Sequence, residues 1–226
     1  MNNAQFVIPL WADLLAVGIG ALQGALFAAQ FRDRRLDLLG VAIVGIATGF
    51  GGGLLRDVLL ARMPAAFENN WYLPVTLVAA LLGMLLERVF NRVTKFITVL
   101  DALTIGLFGA IGTTKALSMG VEVVPAVFLG AVSAVGGSIL RDILLNLPIA
   151  IMQVGSLYAV AAVAGSGTLV ALVLLDVNAL VAAIIGVIVT FGVRVLAVAF
   201  HWTLPEQRTL SRNDIRWTRR STGDGS

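Results

Sequence analysis

Cysteine is absent from this 226-residue chain, which excludes disulfides, thiolate chemistry and cysteine-based metal sites. A single histidine, His201, leaves an imidazole metal centre without the partners it needs. Charge is scarce too: 13% of residues are charged, against about 25% in ordinary soluble domains. There is no P-loop, and no Ser–His pair, paired catalytic aspartates or metal cluster from which a hydrolase could be built. No catalytic residue, metal or cofactor is therefore expected. The net charge of +3 does not call for nucleic acid, because the basic residues sit in short loops and the tail, where membrane topology accounts for them.

What the chain has in abundance is apolar sequence. Hydrophobic residues make up 58% of it, and the mean hydropathy is +0.94. Runs of about 20 apolar residues fall at 11–30, 38–60, 71–88, 97–117, 123–147, 155–175 and 178–200. The bilayer core offers no water to a loose backbone, so these runs predict seven transmembrane helices and an all-α polytopic membrane protein. Residues 1–205 are read as one membrane domain and 206–226 as a basic tail. The first ten residues lack a basic n-region, so no cleavable signal peptide is expected.

Charge nevertheless enters the apolar runs, and it does so twice in the same way. Gly51-Gly52-Gly53-Leu54-Leu55-Arg56-Asp57 in the second span is echoed 85 positions later by Gly136-Gly137-Ser138-Ile139-Leu140-Arg141-Asp142 in the fifth. A charge within a spanning helix costs about 2.5–3.5 kcal/mol on insertion scales unless it finds partners or water. Glycines let a helix kink or unwind, but their spacing equally suits close helix packing. We read the duplicated motif as lining a polar pathway. Thr48 and Ser133 could add hydroxyls to its wall or bond back to their own helices.

The repeat is wider than the motif. Asp13, Gly18 and Gly24 in the first span align with Asp101, Gly106 and Gly112 in the fourth at an offset of 88. Residues 11–96 and 97–176 are thus two copies of a three-helix unit, with 177–200 as an appended seventh helix. An odd number of spans per copy makes the repeat inverted, with a pseudo-two-fold axis in the membrane plane. Arg32, Arg34, Arg35, Arg88, Arg92, Lys95 and the tail arginines share one side, while Arg62 and Lys115 share the other. The positive-inside rule then places the N-terminus outside and the C-terminus in the cytoplasm.

Adjacent helical residues point about 100° apart, so Arg56 and Asp57 are expected to be poor partners for each other. The inverted arrangement suggests Asp13 with Arg56 and Asp101 with Arg141, one pair in each leaflet. Lys115 lies near the outer end of its span, where a snorkelling ammonium is the common case. Arg194, deep in the seventh span and without a copy, is expected to face neighbouring helices or a headgroup.

These features resemble the prokaryotic branch of the trimeric intracellular cation (TRIC) channels, over about residues 11–200. The resemblance implies a homotrimer in a bacterial inner membrane with one pore per protomer, lined by kinked second and fifth helices and passing monovalent cations, chiefly potassium. It implies kinks at Gly51, Gly52 and Gly53 and at Gly136 and Gly137, and a gating role for Lys115; apart from the resemblance, potassium is expected as permeant ion and membrane lipid as a bound partner. Ser138 departs from the third glycine of the first motif. Bacterial relatives have also been labelled glycine transporters, which leaves a small amino-acid carrier as the alternative, with Arg56 and Asp57 as ligands for carboxylate and ammonium.

Overall fold

The computed structural model describes residues 8–31, 36–89, 93–153 and 157–203, and side chains throughout these except at 88, 89 and 93–95. The loop and tail arginines that carry most of the topology argument lie outside the described residues or side chains. The described chain is all-helical. It comprises α1 (Leu10–Ala29), α2 (Leu38–Leu59), a four-residue α3 (Ala65–Glu68), α4 (Tyr72–Val89), α5 (Val93–Ser118), α6 (Val123–Leu144), a 3-10 turn (Ala150–Met152), α7 (Tyr158–Leu174) and α8 (Ala179–Ala199). Five of these, α1, α2, α5, α6 and α8, are long and apolar enough to cross a membrane. α4 and α7 are apolar but shorter over the residues described, so length alone does not reach the seven spans expected.

Local chemistry sets the ends. Asp37 caps α2 by accepting from the Gly40 N–H at 2.7 Å, and Asn178 caps α8 by accepting from the Leu180 N–H at 2.9 Å. α2 and α6 close alike: Ala61 and Asn146 turn to positive φ, and the Arg62 and Leu147 N–H groups reach back to the Asp57 and Asp142 carbonyls at 2.9 and 2.8 Å. This is the Schellman closure. It puts each Arg-Asp pair in the last turn of its helix, a turn beyond the glycines.

α2 and α6 cross at the glycines, where the unwound turn that glycines could allow is not seen. Both helices run unbroken through Gly51–Gly53 and Gly136–Gly137, with no unwound turn. Each carbonyl stays inside its helical ladder, and what the glycines provide is contact. A Cβ on Gly52 would land on the Ser133 carbonyl oxygen, and one on Gly137 on the Thr48 carbonyl oxygen. A Cβ on Gly51 would lie 2.9 Å from the Gly137 Cα, and one on Gly136 3.1 Å from the Gly52 Cα. The contacts are reciprocal: the 85-position offset of the motif maps one set onto the other. Gly53 stands apart, since a Cβ there meets only an Arg56 nitrogen at 3.7 Å. That is why its counterpart can be Ser138, whose hydroxyl donates to the Val135 carbonyl at 2.9 Å. Around the crossing, α1 packs on α2 and α4, and α5 packs on α6 and α8. Leu38, Leu39, Leu73, Leu85, Ile184 and Ile188 stay exposed on the outside, as hydrocarbon-facing residues do.

Candidate functional site: two buried acid–base clusters

One cluster lies at the last turn of α2. Arg56 Nε donates to Asp57 Oδ1 at 2.8 Å and its Nη2 to Oδ2 at 3.1 Å. Both side chains are 1% exposed. The expectation that neighbours cannot pair is corrected here: it holds for where Cβ atoms point, whereas a long arginine side chain can fold back along the helix and present two donors to one carboxylate. Asp57 also accepts from Lys115 Nζ at 2.8 Å and from the Ala65 N–H, which opens α3, at 2.9 Å. Lys115 therefore turns inward from α5 to the motif instead of snorkelling outward, although its side chain remains 21% exposed.

Asp13 does not pair with Arg56: among the described residues it forms no salt bridge, and the Tyr72 hydroxyl donates to its Oδ2 at 2.5 Å. Arg56 turns Nε and Nη2 to Asp57 and leaves Nη1 buried without a hydrogen-bond partner among the described residues, while α4 brings a hydroxyl to Asp13 on α1. Asp13, Arg56, Arg62, Glu68, Tyr72 and Lys115 line an open cavity of about 530 Å³.

The other cluster lies at the last turn of α6 and repeats the plan. Arg141 donates to Asp142 Oδ1 from Nε at 3.0 Å and from Nη2 at 2.8 Å. Asp142 Oδ2 accepts from the Ala150 N–H, which opens the 3-10 turn, at 2.9 Å. Arg141 Nη1 lies 3.9 Å from Asp101 Oδ1, so this acid does meet the arginine expected for it. Tyr158, buried at the start of α7, takes the place beside Arg194 and its acid that Tyr72 has beside Asp13.

Beyond that the clusters diverge. Arg194 reaches from α8 to Asp101 Oδ2 at 3.5 Å and lies over the Tyr158 ring at 3.8 Å. Gln23 of α1 donates to Asp101 Oδ1 at 3.4 Å. At the position matching Lys115 the first copy has Phe27, and Arg141 stacks on its ring at 3.9 Å. Thr48 bonds back to the Val44 carbonyl at 2.6 Å, while Ser133 Oγ is buried without a hydrogen-bond partner among the described residues.

Sequence reasoning missed Tyr72, Tyr158 and Gln23. A signal was available: the chain has two tyrosines, 86 positions apart, and Gln23 is a polar residue within an apolar run.

With this geometry established, comparison with known proteins is informative. A family model described as Glycine transporter matches residues 10–88 and 98–174. A UPF0126 membrane protein of Deinococcus radiodurans is 35% identical over 159 residues, 70% of this chain and 73% of that protein. The UPF0126 inner membrane protein YadS of Escherichia coli K12 is 31% identical over 198 residues, 86% of this chain and 94% of that protein. Among solved structures, the TRIC trimeric intracellular cation channel orthologue from Rhodobacter sphaeroides superposes with a TM-score of 0.79 at 28% identity, covering 85% of this chain and 98% of that one. The chain belongs to the UPF0126 family of prokaryotic TRIC channels. A second TRIC structure, described for conductance through TRIC cation channels, is similar at a TM-score of 0.77 and 31% identity over 89% of this chain and 98% of that one. Within this TRIC family member, the two clusters stand at the ends of the paired helices α2 and α6.

Proposed function

We propose that this TRIC family member is a cation channel that conducts potassium across a bacterial inner membrane, with one pathway in each protomer of a homotrimer. The observation that carries the reading is the pair of buried clusters, each built from an Arg-Asp, a tyrosine and an aspartate of a neighbouring helix, at the two helices that cross glycine to glycine. Ionisable groups within membrane spans are costly and point by default to a functional site, substrate and ion pathways among them. The fold shared with TRIC cation channels supports the same conclusion.

In this reading α1, α2 and α4 form one copy and α5, α6 and α7 the other, inverted in the membrane, with α8 appended. The stretches matched by the family model and the reciprocal glycine contacts support that arrangement. The N-terminus faces outside and the C-terminus the cytoplasm, so the Lys115 cavity opens outward. At the crossing, Gly52 and Gly137 leave no room even for a methyl group, and in this reading the tight seam belongs to the closed state. Opening separates or bends α2 and α6 at their glycines, and Lys115 on Asp57 takes part in gating. Lipids cover the apolar outer faces.

The charge of the outer cavity favours one further reading. Its wall carries acids, Asp13 and Glu68, beside bases, Arg56, Arg62 and Lys115, which suits a zwitterion as well as a cation. A glycine carrier would use this site.

Purified protein in a planar bilayer under a potassium chloride gradient tests the channel. Discrete currents reversing near the potassium potential, altered by Arg56→Ala and Gly52→Leu, are expected. A silent bilayer together with saturable glycine uptake in liposomes would replace the channel with the carrier.

A further inference from the structure

The two copies treat their matched aspartates differently. Asp13 receives the Tyr72 hydroxyl and no salt bridge among the described residues, and it borders the open cavity. The surplus base of that cluster, Lys115, sits on the motif acid Asp57 instead. In the other copy the surplus base is Arg194, and it sits on Asp101, which already has Arg141 at 3.9 Å and Gln23 at 3.4 Å. Arg194 comes from α8, the helix that belongs to neither copy. Its side chain and that of Asp101 are each 7% exposed.

A buried carboxylate needs a compensating charge, and that charge can be mobile or covalently attached. Asp13 is within reach of cations from the cavity. Both sets are neutral, Asp13, Arg56, Asp57 and Lys115 like Arg141, Asp142, Asp101 and Arg194, but Lys115 sits on Asp57 and leaves Asp13 without a base, whereas Arg194 sits on Asp101 itself. Without Arg194 the Asp101 set would carry one negative charge, which is one cation's worth.

We propose that Arg194 is a tethered counter-ion: its guanidinium occupies beside Asp101 the place that a permeating cation takes beside Asp13, and so holds the α6 end of the pathway shut. This rests on the channel reading above. It adds that the two ends are not equivalent, and that displacement of α8 relative to α5 releases the inner one. The contact over the Tyr158 ring fixes the guanidinium in that place, since a stacked planar cation is held in orientation as well as in position.

The test uses the full chain with Arg194→Gln, Arg194→Lys and Asp101→Asn/Arg194→Gln. Arg194→Gln keeps Arg141 beside Asp101, so the acid is not stranded. Its potassium current should rise about fivefold or more, the lower end of typical site-to-site coupling, while Arg194→Lys stays near wild type. A second readout needs no current: the thermal midpoint of Arg194→Gln should rise with potassium relative to N-methylglucamine at equal ionic strength. The double variant and wild type should not show this. A lower midpoint in both salts with unchanged current would make Arg194 a structural bridge and overturn the proposal. If Arg194→Gln does not fold, Asp101→Asn decides: Arg141 keeps Asp142, but Arg194 loses its acid, and the uncompensated guanidinium must reduce the current; an unchanged current refutes the tethered counter-ion. A silent wild type defeats the channel reading instead, and the potassium-dependent midpoint still reports on the cation site.

Discussion

The glycine crossing makes a prediction in which one added methyl group has opposite consequences at adjacent positions. In Gly52→Ala the new Cβ falls on the Ser133 carbonyl oxygen. That oxygen is backbone in the middle of α6, so neither it nor the methyl can turn aside, and α2 and α6 must move apart along their seam. Overpacking of this kind costs about 1–3 kcal/mol, and the reciprocal Gly136 and Gly137 contacts are loosened by the same shift. In Gly53→Ala the new Cβ meets only Arg56 Nη2 at 3.7 Å, an ordinary contact. There the helical preference of alanine over glycine should add about 0.8–1 kcal/mol. Thermal unfolding of the two purified variants in the same detergent should therefore bracket the wild type, Gly52→Ala below and Gly53→Ala at or above it. Equal losses in both variants would refute the reasoning, since the seam would then not be what distinguishes them. In the bilayer, Gly52→Ala should also change the current and Gly53→Ala should not.

Tyr72→Phe removes the one side-chain hydrogen bond that Asp13 accepts among the described residues and should cost about 1.5–3 kcal/mol, the range for bonds to charged groups. Tyr158→Phe should cost less because Asp101 keeps Arg141, Arg194 and Gln23; chemical denaturation of both variants compares them. Asp57→Asn leaves buried Arg56 and Lys115 facing a neutral amide and should destabilise by about 3–5 kcal/mol, seen as a loss of folded protein in size-exclusion chromatography. Lys115→Gln should fold, since Asp57 keeps Arg56 and the Ala65 N–H. If the ammonium senses voltage it does so with at most one charge, about 2.3 kcal/mol per 100 mV, and the voltage dependence of the current should flatten accordingly.

The membrane character, the positions of the apolar helices and the doubled motif were all legible in the sequence. Hydropathy is a property of each stretch alone, and a duplication shows as soon as Gly-Gly and Arg-Asp recur at one spacing. The presence of Asp13 and Asp101 at matching places was equally visible, because an acid in an apolar run announces itself.

Partners were another matter, for they depend on how helices cross and on which way a flexible side chain folds. Arg56 turned to its own neighbour because its length overrides the direction of its Cβ. Asp13 went to a tyrosine on α4 that helix packing brought alongside, and Asp101 gathered groups from α1, α6, α7 and α8. The glycines were recognisable as special, yet only the crossing of α2 and α6 shows that Gly52 and Gly137 admit the other helix's backbone while Gly53 touches almost nothing. What the sequence by itself determined was where polar groups must be compensated, because desolvation acts on each residue regardless of its surroundings. Which group compensates which, and hence the difference between the Asp13 and Asp101 ends, was decided by tertiary structure alone, because residues from five helices come together only once those helices pack.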